Sequence, residues 1–156
     1  MSKDIKEEFW SRLDDVQAGM LTTEGARPVP MSPYADRDAN AIWFITADGT
    51  DIAQAAAGGS RASLTLADSG SKIYATVDGT VSISDDAAKL DELWSPVASA
   101  WFEDGKEDKD VRLVRMTPQQ AEVWATDGAA GFLYEIAKAN LTDSKPDMGE
   151  HARITF

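Results

Sequence analysis

The stretch WFITADGTDIAQAAA, residues 43–57, combines a strand-like run, an Asp-Gly turn and an alanine-rich helix start. A turn of this layout often holds a phosphate group, because backbone N–H groups at a helix start are unpaired. Phosphate sites usually add Lys or Arg, because N–H dipoles alone only partly neutralise two negative charges. This turn carries Asp48 and Asp51 instead. The pattern therefore favours a phosphate-type turn and leaves open what it holds.

The other reactive side chains give weaker signals. The chain has no cysteine and one histidine, His151, which excludes thiolate catalysis, disulfides and Cys-ligated metals. Asp36 and Asp38 lack the glycine and terminal Glu of a calcium loop. Glu103 and Asp104 are typical of a solubilising turn rather than a glycosidase pair. The chain has no G-x-S-x-G motif, so we assign no catalytic residue. We also expect no metal site, and we expect His151 to lie at a surface or interface.

The aromatic residues allow two interpretations. Trp43 and Trp124 fall in predicted strands, whereas Trp94, Trp101 and Phe102 surround a predicted helix break. Core packing is the commoner use of such side chains. The alternative is an aromatic and aliphatic pocket for a flat heterocycle, such as an isoalloxazine ring. Sequence periodicity does not distinguish the two.

Composition limits the classes of protein that these residues can belong to. The chain has 156 residues, of which 43% are hydrophobic, so we expect one domain over residues 1–156 with a real core. The net charge of −12 repels nucleic acid and anionic lipid. The first ten residues lack an apolar signal region, and no apolar run is long enough to span a membrane. We therefore expect a soluble cytoplasmic protein with no nucleic-acid or membrane partner.

Hydrophobic spacing predicts the elements that must position the candidate residues. Ile5, Phe9, Leu13 and Val16 recur on one face of a lid helix over residues 3–16. The next predicted elements are two β-rich segments within 19–34 joined by a turn at 24–25, followed by strands at 41–46, 62–68, 72–79 and 80–86. The second half of the chain is predicted to form a helix at 84–95, a short helix after Pro96, a hairpin of 111–117 with 120–126, a helix at 128–141 and a last strand at 151–156.

Side-chain patterns within these elements predict their buried faces. The alternation in ASLTLA places Leu64 and Leu66 in the core. The two later helices are expected to turn apolar residues inward, namely Ala87, Leu90 and Trp94 in the first and Phe132, Leu133, Ile136 and Ala137 in the second. Pro28, Pro30 and Pro33 predict a strand with one open edge. Consecutive strands joined by short turns favour an antiparallel barrel over a βαβ sheet.

The segment KLDELWSPVASAWFEDGKEDKDVRLVRMTPQQAEVWATDG, residues 89–128, resembles the general stress protein 26 family, within the pyridoxamine 5'-phosphate oxidase-like split-barrel flavoproteins. Its features are a Trp after an acidic helix, the pair Trp101-Phe102, Asp-Gly-Lys, a Thr-Pro turn and Glu-x-Trp. RPVPMSPY, NAIWFITADGT and KIYATVDGTVSISDD extend the resemblance to nearly the whole chain. It implies a mainly β fold, a six-stranded antiparallel split barrel with peripheral helices. It also implies a homodimer with FMN, or alternatively FAD, in a groove between subunits.

The resemblance also implies a set of cofactor-binding residues. In this sequence they are Arg27, Pro28, Pro30 and Met31 on one strand, Ile45 and Thr46 at the end of the next, Thr50 and Asp51 at the phosphate, and Tyr74 near the ring. Thr hydroxyls and turn N–H groups donate to phosphate, and Met31 and Ile45 are suited to pack on the flavin face.

The chain departs from this family pattern at the phosphate. Many split-barrel flavoproteins place Arg or Lys just after the turn, where this chain has Asp51 or Ile52. A carboxylate in place of a charge-assisted donor costs on the order of 2 to 5 kcal/mol of binding free energy. Arg27, Arg61, Lys72 or a residue of a partner chain are the candidates to supply the charge.

Two functions from different classes remain open. The first is an FMN-binding general stress protein, either a flavin-binding redox protein or an FMN-dependent oxidoreductase with an undefined small-molecule substrate. The second is a non-catalytic split-barrel dimer that acts as a ligand-binding or stress-regulatory module with weak or lost FMN binding. The segment 31–33 lacks the lysine that the oxidases use for substrate phosphate, so we do not expect oxidation of pyridoxine phosphate. A pyridoxal-phosphate binder or a haem-related protein is a weaker option, given no Lys in the candidate groove and a single His.

Overall fold

The computed structural model describes residues 4–126, 128–142, 145 and 149–156. Its helices are α1 (Ile5–Leu13), α2 (Asp51–Ala57), α3 (Ala87–Leu93), α4 (Pro96–Trp101) and α5 (Gly128–Thr142), with a 3₁₀ turn at Gly105–Glu107. Its strands are β1 (Gly19–Thr23), β2 (Val29–Met31), β3 (Tyr34–Asp36), β4 (Ala41–Ala47), β5 (Arg61–Asp68), β6 (Ile73–Ser84), β7 (Val111–Ala125) and β8 (Glu150–Thr155).

The strands form one curled antiparallel sheet in the order β2-β1-β5-β6-β7-β4-β3, with β8 also paired to β7. The predicted mainly β fold with peripheral helices is confirmed, although the described sheet has eight strands where six were expected. β2 lies at one edge beside β1, as its prolines predicted, because a strand that lacks N–H donors cannot bond on both sides.

The boundaries of the two longest strands differ from the predictions. Residues 72–79 and 80–86 were expected to form two strands, but β6 is continuous through this region. The predicted hairpin of 111–117 and 120–126 is wrong, because β7 is likewise a single strand. β6 pairs with β7 along its whole length, whereas the other edge of β7 pairs first with β4 and then with β8.

A local irregularity explains why both strands looked like turns in the sequence. The register of the β6–β7 pair shifts between Asp78 and Gly79, and Gly79 lies opposite Pro118. A Cβ atom on Gly79 would lie 2.2 Å from the carbonyl oxygen of Thr117, so only glycine allows this approach. Gly and Pro therefore mark a shared bulge here rather than chain reversals.

The core lies between the concave face of the sheet and two helices. Phe9 and Leu13 of α1 are fully buried, which confirms the predicted lid. Leu64 and Leu66 lie in the same core cluster, as predicted. On the other side of β4, Trp43 belongs to a smaller cluster against which α3 packs.

Predictions for the two later helices were partly wrong. Leu90 of α3 packs against the smaller cluster, but Ala87 is exposed. In α5, Leu133 and Ile136 are 67% and 37% exposed rather than inward, as is Ala137, and the side chain of Phe132 lies outside the described residues. Spacing identifies which side of a helix is apolar but not whether another element covers it. No helix in the described part of the chain is long and apolar enough to cross a membrane.

Candidate functional site

The turn between β4 and α2 is held by the hydroxyl of Thr50. Its Oγ donates to the carbonyl oxygen of Ala47 at 2.8 Å and accepts from the N–H of Ala53 at 3.2 Å. Thr46 Oγ lies 3.1 Å from Thr50 Oγ. A hydroxyl carries one proton, so Thr46 is the donor of this bond. Both hydroxyl protons are therefore engaged within the turn, which Gly49 completes with a φ of +83°.

A cavity of about 360 Å³ opens beside this turn. β3 pairs with β4 only as far as Trp43, so the following residues of β4 present that edge to the cavity. The other lining residues come from α4 and the residue after it, from β2 and β3, and from the connection between these two strands. The cavity thus forms where the short edge strand β3 no longer pairs with β4.

The cavity has an apolar body and a polar end. Its lining includes the large apolar side chains of Met31, Ile45, Trp101 and Phe102, together with the hydroxyl side chains of Thr46 and Thr50. Trp101 is 81% exposed, so its ring is held beside the cavity rather than in the core. A volume of this size, with aromatic walls and a few polar groups, is within the range of small-molecule sites.

The structure brings five of the nine predicted cofactor residues to this cavity, namely Pro30, Met31, Ile45, Thr46 and Thr50. It places the other four elsewhere within one chain. Arg27 and Pro28 are exposed in the connection between β1 and β2. Asp51 is exposed as the first residue of α2, and its side chain is not among those that line the cavity.

Tyr74 is separated from the cavity along the sheet. It pairs with Trp124, whereas Ile45 at the cavity pairs with Leu113, which pairs with Ser84. Tyr74 and Ser84 are ten residues apart along β6, which corresponds to about 30 Å in an extended strand. Tyr74 therefore lies far from this cavity within one chain.

Several lining residues were not predicted as cofactor contacts. They are Ser32, Tyr34, Ala47, Ala98, Trp101 and Phe102. Trp101 and Phe102 carried a usable signal, because they were recognised as either core or pocket aromatics. Their neighbour Trp94 is half-buried and donates from Nε1 to Ser99 Oγ at 3.3 Å. The small residues carried no signal, because any element can bring Ala or Ser to a wall.

A hydrogen-bonded group anchors α3 beside the site. Asp36 accepts from Trp43 Nε1 and from Lys89 Nζ, each at 3.0 Å. Burial pushes the pKa of Asp36 upward, but the bonds from Lys89 and Trp43 outweigh this effect and hold the pKa below its ordinary value of 3.8. Bonds to Glu92 and Asp36 raise the pKa of Lys89 above 10.5. Asp36 therefore serves a structural role, and the side chains described in the structure include no cluster of three metal-ligating residues.

Positive charge reaches the turn from β7. Arg112 pairs directly with Thr46 across the two strands. Its Nη2 lies 3.4 Å from Asp48 Oδ2, and its Nη1 donates to the carbonyl oxygens of Lys109 and Val111. Sequence reasoning missed this residue, because it lies 66 positions after Thr46 and no local motif contains both.

Another groove of about 360 Å³ lies along β6, β7 and β8. Asp78, Glu122 and Arg153 contribute to its walls, and its lining residues within the described part of the chain include no aromatic one. Nearby, His151 stacks on Trp124 with ring centroids 4.7 Å apart and bonds to Glu122 at 2.9 Å. His151 is exposed, as expected. The aromatic residues that line the cavity beside β4 make that cavity the better candidate for a flat heterocyclic ligand.

Solved structures include proteins closely similar to this chain. A protein described as general stress protein 26 from Jannaschia sp. CCS1 is 53% identical, with a TM-score of 0.91, and the match covers 98% of this chain and 99% of that one. The general stress FMN/FAD binding protein of Xanthomonas citri is 27% identical, with a TM-score of 0.72 over 82% and 93% of the two chains. A general stress family protein of Xanthomonas campestris pv. campestris is also 27% identical, with a TM-score of 0.70 and the same coverage.

A comparison with curated proteins gave no match. The family described as "Pyridoxamine 5'-phosphate oxidase like" matches residues 4–147. This match spans β1 to β7, the turn after β4 and the walls of the cavity. It agrees with the resemblance seen in the sequence motifs and with the similarity to general stress protein structures. The chain therefore belongs to the pyridoxamine 5'-phosphate oxidase-like family.

Proposed function

We propose that residues 1–156 form one flavin-binding domain of a general stress protein, and that the cavity beside β4 holds FMN, or alternatively FAD. The observation that carries this proposal is the cavity itself, in which aromatic and aliphatic side chains adjoin a polar turn. An isoalloxazine ring needs flat apolar walls, and its ribityl phosphate needs a polar exit. The flavin-binding name of the Xanthomonas citri relative supports the same cofactor.

The residues of the cavity fit the parts of such a cofactor. Met31 and Ile45 would pack against the ring, and Trp101 and Phe102 would cover it from α4 and exclude water. Thr46 and Thr50 would lie at the phosphate end. A bound flavin would supply electron transfer, and the chain would position it, as in an FMN-dependent oxidoreductase with an undefined small-molecule substrate. No lining residue in the described part of the cavity is cationic, so we do not extend the proposal to a phosphorylated pyridoxine substrate.

We further propose that the protein is a homodimer. Tyr74 and Trp124 are 37% and 40% exposed on neighbouring strands, and His151 continues this row on β8. Exposed aromatic rows on a sheet are typical of surfaces that pair with another protein. In a dimer built on this face, Tyr74 would approach the flavin of the partner subunit, which one chain alone cannot achieve.

Flavin titration tests the proposal before any substrate is considered. Purified protein is stripped of bound flavin and titrated with FMN and with FAD, while flavin absorbance and the melting temperature are recorded. We expect saturable spectral changes and a higher melting temperature, because a ligand that binds only the folded state stabilises it. If neither flavin changes the spectrum or the melting temperature, the proposal is wrong.

The alternative is a dimer that acts as a ligand-binding or regulatory module with weak FMN binding. The engaged hydroxyl protons of Thr46 and Thr50 favour it, as do the carboxylates of Asp48 and Asp51 at the phosphate end. It predicts that FMN binds more weakly than micromolar. A dissociation constant of micromolar or below, together with weaker binding in Thr50→Val, contradicts the alternative.

A further inference from the structure

The phosphate end of the cavity needs a positive charge that the turn does not supply. This step rests on the proposed flavin function. Thr46 and Thr50 already use their hydroxyl protons within the turn, and Asp48 and Asp51 add negative charge on either side of Gly49 and Thr50. Transfer of a dianion from water to such a place is unfavourable without a cation. The charge must therefore come from another element.

Within one chain, the three cations suggested by the sequence are not among the residues that line the cavity. Arg27 is exposed in the connection between β1 and β2. Arg61 pairs with Thr80 of β6, four residues before Ser84, which pairs with Leu113. Lys72 lies next to the opposite end of β6, where its carbonyl oxygen binds Arg12 at 2.6 Å.

We propose that Arg112 is the cation that pairs with the phosphate, and that the carboxylate of Asp48 pairs with the Arg112 guanidinium when no phosphate is bound. Directly opposed residues of antiparallel strands have Cβ atoms about 4.5–5.5 Å apart and share one face of the sheet. Arg112 therefore starts beside Thr46, whose hydroxyl is 3.1 Å from that of Thr50. The N–H of Asp48 also donates to the carbonyl oxygen of Asp110 at 2.7 Å, which ties the turn to the start of β7. A long guanidinium side chain from this position reaches the turn.

The present bonds of Arg112 are suited to exchange. Its side chain is 33% exposed and that of Asp48 is 59% exposed, and exposed ion pairs of this length contribute little free energy. The two carbonyl oxygens that accept from Nη1 hold the guanidinium in place. Nη2 can then pass from one carboxylate oxygen to a phosphate, which carries more charge and more acceptors.

A comparison of FMN with riboflavin isolates this interaction, because the two ligands share the ring and differ by the phosphate. We expect Arg112→Met to weaken FMN binding about ten-fold or more, with riboflavin affinity within about two-fold of wild type. Arg112→Lys should restore part of the FMN affinity. Arg61→Met, which removes the same charge from an exposed strand position, should change neither affinity. Asp48→Asn should strengthen FMN binding about two- to five-fold, because it removes a competing partner of an exposed pair.

The outcomes separate this inference from the proposed function. If wild type binds both flavins and Arg112→Met shifts their affinities equally, or shifts neither, the inference is wrong while the flavin site stands. If wild type binds neither FMN nor riboflavin, both fail. Should Arg112→Met not fold, Asp48→Asn decides, since an unchanged ratio of FMN to riboflavin affinity overturns the inference.

Discussion

The hydroxyl oxygens of Thr46 and Thr50 lie 3.1 Å apart and join the end of β4 to the start of α2. Thr50 also caps α2 by accepting from the N–H of Ala53. Its single side-chain oxygen thus connects the strand, the turn and the helix. The loss of that oxygen should affect both the stability of the fold and the phosphate end of the cavity.

Thr50→Val keeps the shape of the side chain but removes the cap. We expect the free energy of unfolding to fall by about 1–2 kcal/mol, measured by urea denaturation, and FMN binding to weaken. Thr50→Ser should retain most of both properties. Thr65→Val, at an exposed position of β5, serves as the control and should change stability by less than about 0.5 kcal/mol. Equal effects of Thr50→Val and Thr65→Val would contradict the role of the cap.

A substitution of Trp101 tests whether the cavity binds flavin and should have little effect on the stability of the fold. Its ring is 81% exposed, so Trp101→Ala should leave the melting temperature of the flavin-free protein nearly unchanged. We expect flavin affinity to fall about ten-fold, because an aromatic wall contributes roughly 1–2 kcal/mol. Trp10→Ala provides the contrast, since Trp10 is 5% exposed and its loss should cost about 3–5 kcal/mol of stability. Unaltered flavin affinity in Trp101→Ala would remove this residue from the site.

Gly79→Ala tests the bulge shared by β6 and β7. The added Cβ would lie 2.2 Å from the carbonyl oxygen of Thr117, so backbone must move, and we expect a loss of about 2–4 kcal/mol in the free energy of unfolding. Gly58→Ala is the matched control. Its Cβ would have its nearest contact at 3.7 Å, so a change within about 1 kcal/mol is expected. Chemical denaturation of both variants gives the comparison, and similar losses would show that the close approach does not matter.

The stability of the α3 anchor should depend on pH in a defined direction. The pKa of Asp36 is lowered in the fold by bonds that outweigh burial, so its contribution is complete above about 3.9, the value of a free Asp. That contribution is lost as pH falls through the folded pKa. Lys89 has a raised pKa, so its contribution is complete below about 10.4 and is lost at still higher pH.

Urea midpoints measured from pH 6 to pH 2 test this dependence. The difference in stability between wild type and Asp36→Asn should shrink as the pH falls below about 3.9. Asp38→Asn, an exposed change in the same turn, should give a curve parallel to that of wild type. A constant difference between wild type and Asp36→Asn over this range would contradict the role of the Asp36 carboxylate.

The row of Tyr74, Trp124 and His151 on the sheet is the proposed dimer interface, and measurement of the protein's mass in solution tests it. Trp124→Asp places a charge between Tyr74 and His151, which pair with it on the two neighbouring strands. If a second copy covers this face, burial of that charge is unfavourable, and sedimentation velocity should show a monomer where wild type gives a dimer. Ser11→Asp, at an exposed position of α1, should sediment as wild type. A dimer that persists in Trp124→Asp would place the interface elsewhere.

Local patterns predicted much of the fold correctly. The spacing of Phe9 and Leu13 identified the buried side of α1, and the alternation around Leu64 and Leu66 identified the inner face of β5. Both patterns work because each element repeats with its own period, so residues that share a face can be found without knowledge of any neighbour. The same reasoning failed for α5, where apolar residues such as Leu133 remain exposed in one chain.

The sequence by itself determined the antiparallel β class, the turn with its missing cation and five residues of the cavity. The first two features depend on residues close together in the chain, whereas the five cavity residues follow from the family resemblance that the sequence motifs carry. Only the tertiary structure decided that Gly79 and Pro118 face each other in one bulge and that Trp101 lines a cavity. It also decided that Arg112 lies opposite Thr46. Each of these relations joins separate elements, and strand register, which sets them, is determined by the packing of the whole sheet.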